Sequence, residues 1–269
     1  ELVDGLQRLS TIFSFFGILK HKDKNNLILE KGDILPELLG CKLNDLSPVL
    51  KFTLKKAVCR VEIIKWDSQT DMRYELFSRL NTGGEPLSDQ EVRNCIFRGD
   101  SNDFNQLLLD LAKHSNFQDL IKPTSEQVEE MFCEELILRF FTLKNYGLTS
   151  TSNLQNHLTE YMKKVSKGEL PFNVVEESKL FQDITLYLLS NFEYNIFRAS
   201  NGIFTPAYYD AILLSLHKYF DVYKNDVELF KQKITLFKNS EEYKKTAQQS
   251  YSLNRIENRI EVAYKIFEP

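Results

Sequence analysis

The stretch EQVEEMFCEELILRFFTLK, residues 126–144, decides the reading of the fold. It holds no Gly or Pro and is too long for an ordinary strand. Its second half is apolar on every side (Leu136, Ile137, Leu138, Phe140, Phe141), which predicts a long helix buried at the centre of the molecule. Other helical patterns surround it. Phe104 to Lys113 makes a short helix. Leu154, His157, Leu158, Tyr161, Met162 and Val165 recur at spacings of three and four and form an amphipathic stripe. Further helices are predicted over 175–190, 206–222, 225–237 and 252–267. In the last, Leu253, Ile256, Ile260, Ala263 and Phe267 face inward, with Arg255 and Arg259 on the outer side. Breaks fall at Gly147–Asn153 and Lys167–Pro171.

Composition agrees. The 269 residues include only 10 Gly and 7 Pro, too few for the many tight turns of an all-β sandwich or barrel. With 20 Phe, 12 Tyr and a net charge of −4, disorder is excluded, and so is a general affinity for nucleic acid; contact with DNA requires a local basic patch or a partner. Cys41, Cys59, Cys95 and Cys133 are scattered, with neither disulfide-framework nor zinc-site spacing. No apolar run is long enough to span a membrane and no signal peptide opens the chain, so a reducing cytoplasm is the expected setting.

The first hundred residues are more mixed. Glu1-Leu2-Val3 reads as the end of a strand, implying strand partners upstream. Asp4-Gly5 is a turn, and a helix follows with Leu6, Leu9, Ile12 and Phe16 in register. Residues 20–33 include a polar loop. Ala57, Cys59, Val61 and Ile63 alternate with Val58, Arg60 and Glu62, which predicts a strand over 56–65. Asp71 to Leu80 reads as a helix, and Asn81-Thr-Gly-Gly-Glu-Pro86 forces a turn. Ser88-Asp-Gln-Glu91 is a capping box, with Leu87 and Val92 as its hydrophobic staple. The fold expected is mainly α: an α+β portion over residues 1–100, then a multi-helix domain over 101–269.

Two stretches carry chemistry. At Asp4-Gly5-Leu6-Gln7-Arg8 a turn delivers the chain into a helix. The first amides of a helix attract anions, Gly5 permits close approach, and Arg8 can clamp phosphate oxygens in a fork. Gln7 can orient a water, and Asp4 can cap the helix or hold a magnesium-bound water. An ordinary turn followed by a surface arginine fits the same letters. In the second stretch, Phe77 to Ser88, paired glycines can place amides around an anion, while a capped link between two helices explains Gly83, Gly84 and Ser88 but not Arg79 and Asn81.

Taken together, these stretches are similar to a known family. Val3-Asp-Gly-Leu-Gln-Arg-Leu-Ser-Thr-Ile12 resembles the VDGQQRLTTI signature of the GmrSD-type restriction enzymes, and Phe77 to Asn94 resembles that family's second signature. Weaker similarity runs through Glu134–Phe140 and into the helix at Arg255–Ile260. The resemblance implies a ParB/sulfiredoxin-like α+β core followed by helices. It also implies binding, and in some members hydrolysis, of a nucleoside triphosphate with Mg2+, and action against phage or foreign DNA, including modified DNA. The cutting would be done by an HNH-type nuclease domain or partner. Carried over by position, Asp4, Gly5, Gln7 and Arg8 belong to the nucleotide site, with Asp4, Gln7 and Arg8 in the catalytic roles. Asn81, Gly83 and Gly84 line or support it. Two departures stand out: Leu6 replaces the first Gln of the signature, and the family's upstream segment is absent.

No nuclease is visible in the letters. His21, His114, His157 and His217 are isolated, with the first two reading as solvent-facing and the last two as core or interface residues. No P-loop exists. Glu129-Glu130 and Glu134-Glu135 read as solvated faces and ion-pair partners, and no metal site is expected. Lys51, Lys55, Lys56, Arg60 and Lys65 surround the predicted strand, as a phosphate-contacting strip or as a lysine-protected edge. Two functions are therefore expected as alternatives. One is a nucleotide-binding sensor or regulatory domain of a prokaryotic restriction and anti-phage defence protein. The other is a non-catalytic helical domain that binds DNA or a partner protein.

Overall fold

The computed structural model describes residues 5–30, 35–61, 87–97, 102–147, 153–192, 194–247 and 253–269. The chain divides into two compact units, Glu1–Glu85 and Pro86–Pro269.

In the first unit, helix α1 (Leu6–Phe16) follows Gly5 and ends at Gly17, both in the left-handed region. The amides of Gly17 and Ile18 turn back to the carbonyls of Ser14 and Phe13, closing the last turn. Single 3-10 turns follow at Lys22–Lys24, Pro36–Leu38 and Leu43–Asp45. Helix α2 (Pro48–Lys56) starts at Ser47, whose hydroxyl accepts from the Leu50 amide at 3.3 Å, with Pro48 in the first turn, where its missing N–H does no harm. Residues 57–61 are exposed and irregular. The strand expected over 56–65 is therefore not formed in its described part: Lys56 closes a helix, and the alternation from Ala57 to Val61 has no paired strand among the described residues to bury one of its faces. No strand occurs among the described residues, so the expected α+β character of this region is not seen in them. The expected strand end at residues 1–3 and helix at 71–80 lie outside the described residues.

The second unit is helical throughout its described part. Its helices are α3 (Asp89–Phe97), α4 (Asn102–Lys113), α5 (Ser115–Ile121), α6 (Ser125–Glu129), α7 (Phe132–Asn145), α8 (Leu154–Ser166) and α9 (Val174–Asn191). After a 3-10 turn at Tyr194–Phe197 come α10 (Pro206–Lys218), α11 (Phe220–Tyr223), α12 (Val227–Asn239), α13 (Glu241–Ala247) and α14 (Leu253–Phe267). As its apolar run requires, α7 is central, packing against α3, α4, α8 and α10, with Leu136 to Leu143 buried. The α8 stripe is buried at every position read from the sequence. A second group, α12 to α14, packs on α10 around Tyr223, Phe230, Phe237 and Phe267.

The helix expected over 126–144 is in fact two. Thr124 opens α6 with its own capping box, Met131 adopts the left-handed region at φ 57°, and α7 starts afresh at Phe132. The break is held from outside: the Ser88 hydroxyl donates to the Glu130 carbonyl at 2.6 Å, and the Asn94 amide donates to Met131 Sδ at 2.8 Å.

Buried charge joins α7 to α10. Arg139 donates to both carboxylate oxygens of Asp210 at 2.6 Å. The Tyr243 hydroxyl, bonded to the Ala207 carbonyl, lies within electrostatic reach of Asp210, Arg139 and Arg259. Arg259 corrects an expectation. Arg255 is exposed, but Arg259 is buried and its Nη2 has no hydrogen-bond partner. Position 259 lies three residues after Ile256 and four before Ala263, so it shares their inward face. Asp210→Asn removes the buried carboxylate that Arg139 grips with both prongs. It is expected to lower unfolding free energy by about 3–5 kcal/mol in a urea titration, while Asp221→Asn, at an exposed pair with Lys224, leaves the midpoint in place.

Candidate functional site

The first candidate corner is built by α1. Gly5 sits at φ 88° and accepts the Leu9 amide at 2.8 Å, setting the helix start. Arg8, one turn on, folds its guanidinium back over Gly5: a β-carbon at position 5 would lie 3.6 Å from Arg8 Nη2. The structure thus brings Gly5 and Arg8 together, with a cation held against the positive end of a helix. Gln7 is exposed, and Leu6, in place of the signature's Gln, is 67 % exposed. Asp4, Asn81, Gly83 and Gly84 lie outside the described residues.

The later part of the second signature is described, and its role is packing. Ser88 and Glu91 form the expected capping box, at 2.7 and 3.2 Å. Arg93 is completely buried. Its Nε donates to Gln90, its Nη1 to Gln155 at 2.9 Å, and its Nη2 to Glu135 at 2.7 Å. Gln90 donates in turn to Asn94. These bonds fasten α3 to α7 and α8. The letters alone gave no sign of this clamp.

The other candidates separate. Lys51, Lys55 and Lys56 sit on α2, not on a strand. Lys51 reaches the Asn44 carbonyl at 2.9 Å and Lys56 covers the Phe52 ring, while Arg60 is exposed beyond the helix. Lys65 lies outside the described residues. His21 is exposed, whereas His114 is half-buried and caps α5, its Nδ1 accepting from Asn116. His157 is a core residue stacked on Tyr146, with Nε2 2.6 Å from the Gly147 carbonyl. Glu129 and Glu130 are exposed and Glu135 is an ion-pair partner, as expected. Glu134 is buried instead, and burial raises its pKa. Burial also pushes the Cys133 thiol up to about 12, leaving it protonated and inert. Among the described residues no group of three or more His, Cys, Asp or Glu is placed to hold a metal ion, and no helix is long and apolar enough to cross a membrane. The sequence pattern also gives no hint of Arg198, Lys238 and Lys244, basic residues that one cleft brings together.

Gly5→Ala is sterically admissible beside Arg8, but the left-handed backbone opposes any β-carbon. It is expected to cost about 1–2 kcal/mol, read from the denaturation midpoint. His217, whose Nδ1 is buried and unpartnered, has its pKa lowered from 6.5, first by burial and then by Lys144. Between that lowered value and about 6.5 the unfolded chain binds more protons than the folded one, so stability falls as pH drops through this window. His217→Gln should flatten that part of a plot of thermal midpoint against pH.

Residues 1–98 match the family model described as the GmrSD restriction endonuclease, N-terminal domain, in agreement with the resemblance carried by the two signatures. No curated protein and no solved structure matches the chain.

Proposed function

We propose, from the match of residues 1–98 to the GmrSD restriction endonuclease N-terminal domain, that this chain is part of a prokaryotic DNA-restriction and anti-phage defence protein. In this reading the first hundred residues form a ParB/sulfiredoxin-like nucleotide-binding domain that senses a nucleoside triphosphate with Mg2+ and regulates an HNH-type nuclease domain or partner acting on DNA. The observation that carries it is the Gly5–Arg8 corner: a left-handed glycine opens the helix, and a guanidinium is folded over that glycine. This arrangement fits the phosphates of a nucleotide, with the helix start and Arg8 as the positive elements. Asp4 would supply the oxygen toward Mg2+, and Gln7 would orient a water. Leu6 removes one amide from the signature, which favours binding over hydrolysis. Lys51, Lys55, Lys56 and Arg60 are the DNA-contact candidates of this unit.

A second reading, a non-catalytic helical interaction domain, draws support from the Gln90–Arg93–Asn94 network, because that half of the signature is engaged in holding helices together. Titration of a fluorescent ATP analogue with Mg2+ separates the two. Saturable binding that weakens by about 10–100-fold in Arg8→Ala, the loss expected for a charged contact, supports the sensor reading. Equal binding by both proteins, or none by the folded wild type, supports the second.

A further inference from the structure

The 3-10 turn at Tyr194–Phe197, the loop up to Gly202, the end of α12 and Lys244 of α13 surround a cleft of about 780 Å3. Three cations line it: Arg198, Lys238 and Lys244. Among the described residues that line it there is no carboxylate. Lys238 Nζ donates to the carbonyls of Asn195 at 3.0 Å and Arg198 at 3.3 Å. Arg198 Nη2 donates to the Ile121 carbonyl at 2.7 Å and Nη1 to Gly202 at 3.2 Å, and its buried Nε has no partner. These partners are neutral. They fix the cations in place without cancelling their charge. Lys244 alone meets an acid, Glu241, in an exposed pair that water and salt screen. Lys122 adds a further cation, 4.0 Å from the centre of the Tyr194 ring, which Arg198 also approaches.

A cation held half-buried without a counter-ion is costly, and burial accordingly lowers the pKa of Lys238. An anion in the cleft relieves that cost. The lining also indicates which anion. Pockets for small molecules are mostly apolar, with a few polar groups. The described walls combine amide, hydroxyl, guanidinium and ammonium groups with Ala199 and the rings of Tyr194 and Tyr208, and cations approach the Tyr194 ring. The charges of the cleft are spread over the loop after the 3-10 turn, α12 and α13, which suits an extended polyanion. We propose that this cleft binds the phosphodiester backbone of a nucleic acid strand, without reading its sequence. The proposal concerns the second unit and does not depend on the nucleotide reading of the Arg8 corner.

The test is fluorescence anisotropy of the full chain with a labelled oligonucleotide over a salt series. Three phosphate contacts predict that log K falls with log salt with a slope of about −2 to −3. Lys244→Glu combined with Lys122→Gln should weaken binding at least tenfold and flatten the slope by about one for each phosphate that is no longer neutralised, with an unchanged denaturation midpoint. Lys231→Glu, on an exposed pair elsewhere on α12, should leave oligonucleotide affinity as it is. Affinity unchanged in the Lys122/Lys244 variant, absence of binding, or displacement by AMP or inorganic phosphate at concentrations equal to the oligonucleotide's each overturns the proposal.

Discussion

A guanidinium removed from water must have its donors engaged, and Arg93 meets that demand across three helices. Its partners are Gln90 on its own helix, Glu135 on α7 and Gln155 on α8. Because an unmatched buried charge is so unfavourable, this geometry tolerates little sliding of α3 over its neighbours. The consequence reaches beyond the clamp itself. With α3 fixed, Ser88 and Asn94 meet the Glu130–Met131 break, which ends α6 and lets α7 begin at the angle that carries it through the centre of the unit.

A second polar centre works differently. Arg139 and Asp210 form a two-pronged pair between α7 and α10, while Arg259 brings another positive charge within reach of Tyr243 and has one nitrogen unmatched. Around it the packing is aromatic, with Tyr208, Tyr243 and Phe267 each in contact with the Phe237 ring. The hydroxyl of Tyr223 adds a bond to the Phe267 carbonyl, anchoring the end of α14. Large rings fill the volume, and a few directed bonds select one arrangement among the many that rings alone would permit.

Much of this fold is legible in the letters because its signals are local. The α8 stripe, the Ser88 capping box and the central position of α7 follow from spacing within a few residues. What escapes is set at a distance. Nothing near Glu130 announces a helix break; its hydroxyl partner lies forty-two residues away. Arg259 reads as a surface residue by its charge, although its position between Ile256 and Ala263 places it inside. The alternation after Lys56 lacks a paired strand among the described residues. The Gly5–Arg8 corner is visible as a pattern, whereas the cations around Tyr194 span more than forty residues of sequence and share no motif.

The position of Arg93 within the second signature bears on how such signatures are used. Ser88, Gln90, Glu91, Arg93 and Asn94 serve to cap, clamp and kink, tasks that any folded descendant must still perform. A relative that had shed all its chemistry would therefore keep these letters for as long as it kept its shape. Retention of this half of the signature is a record of architecture.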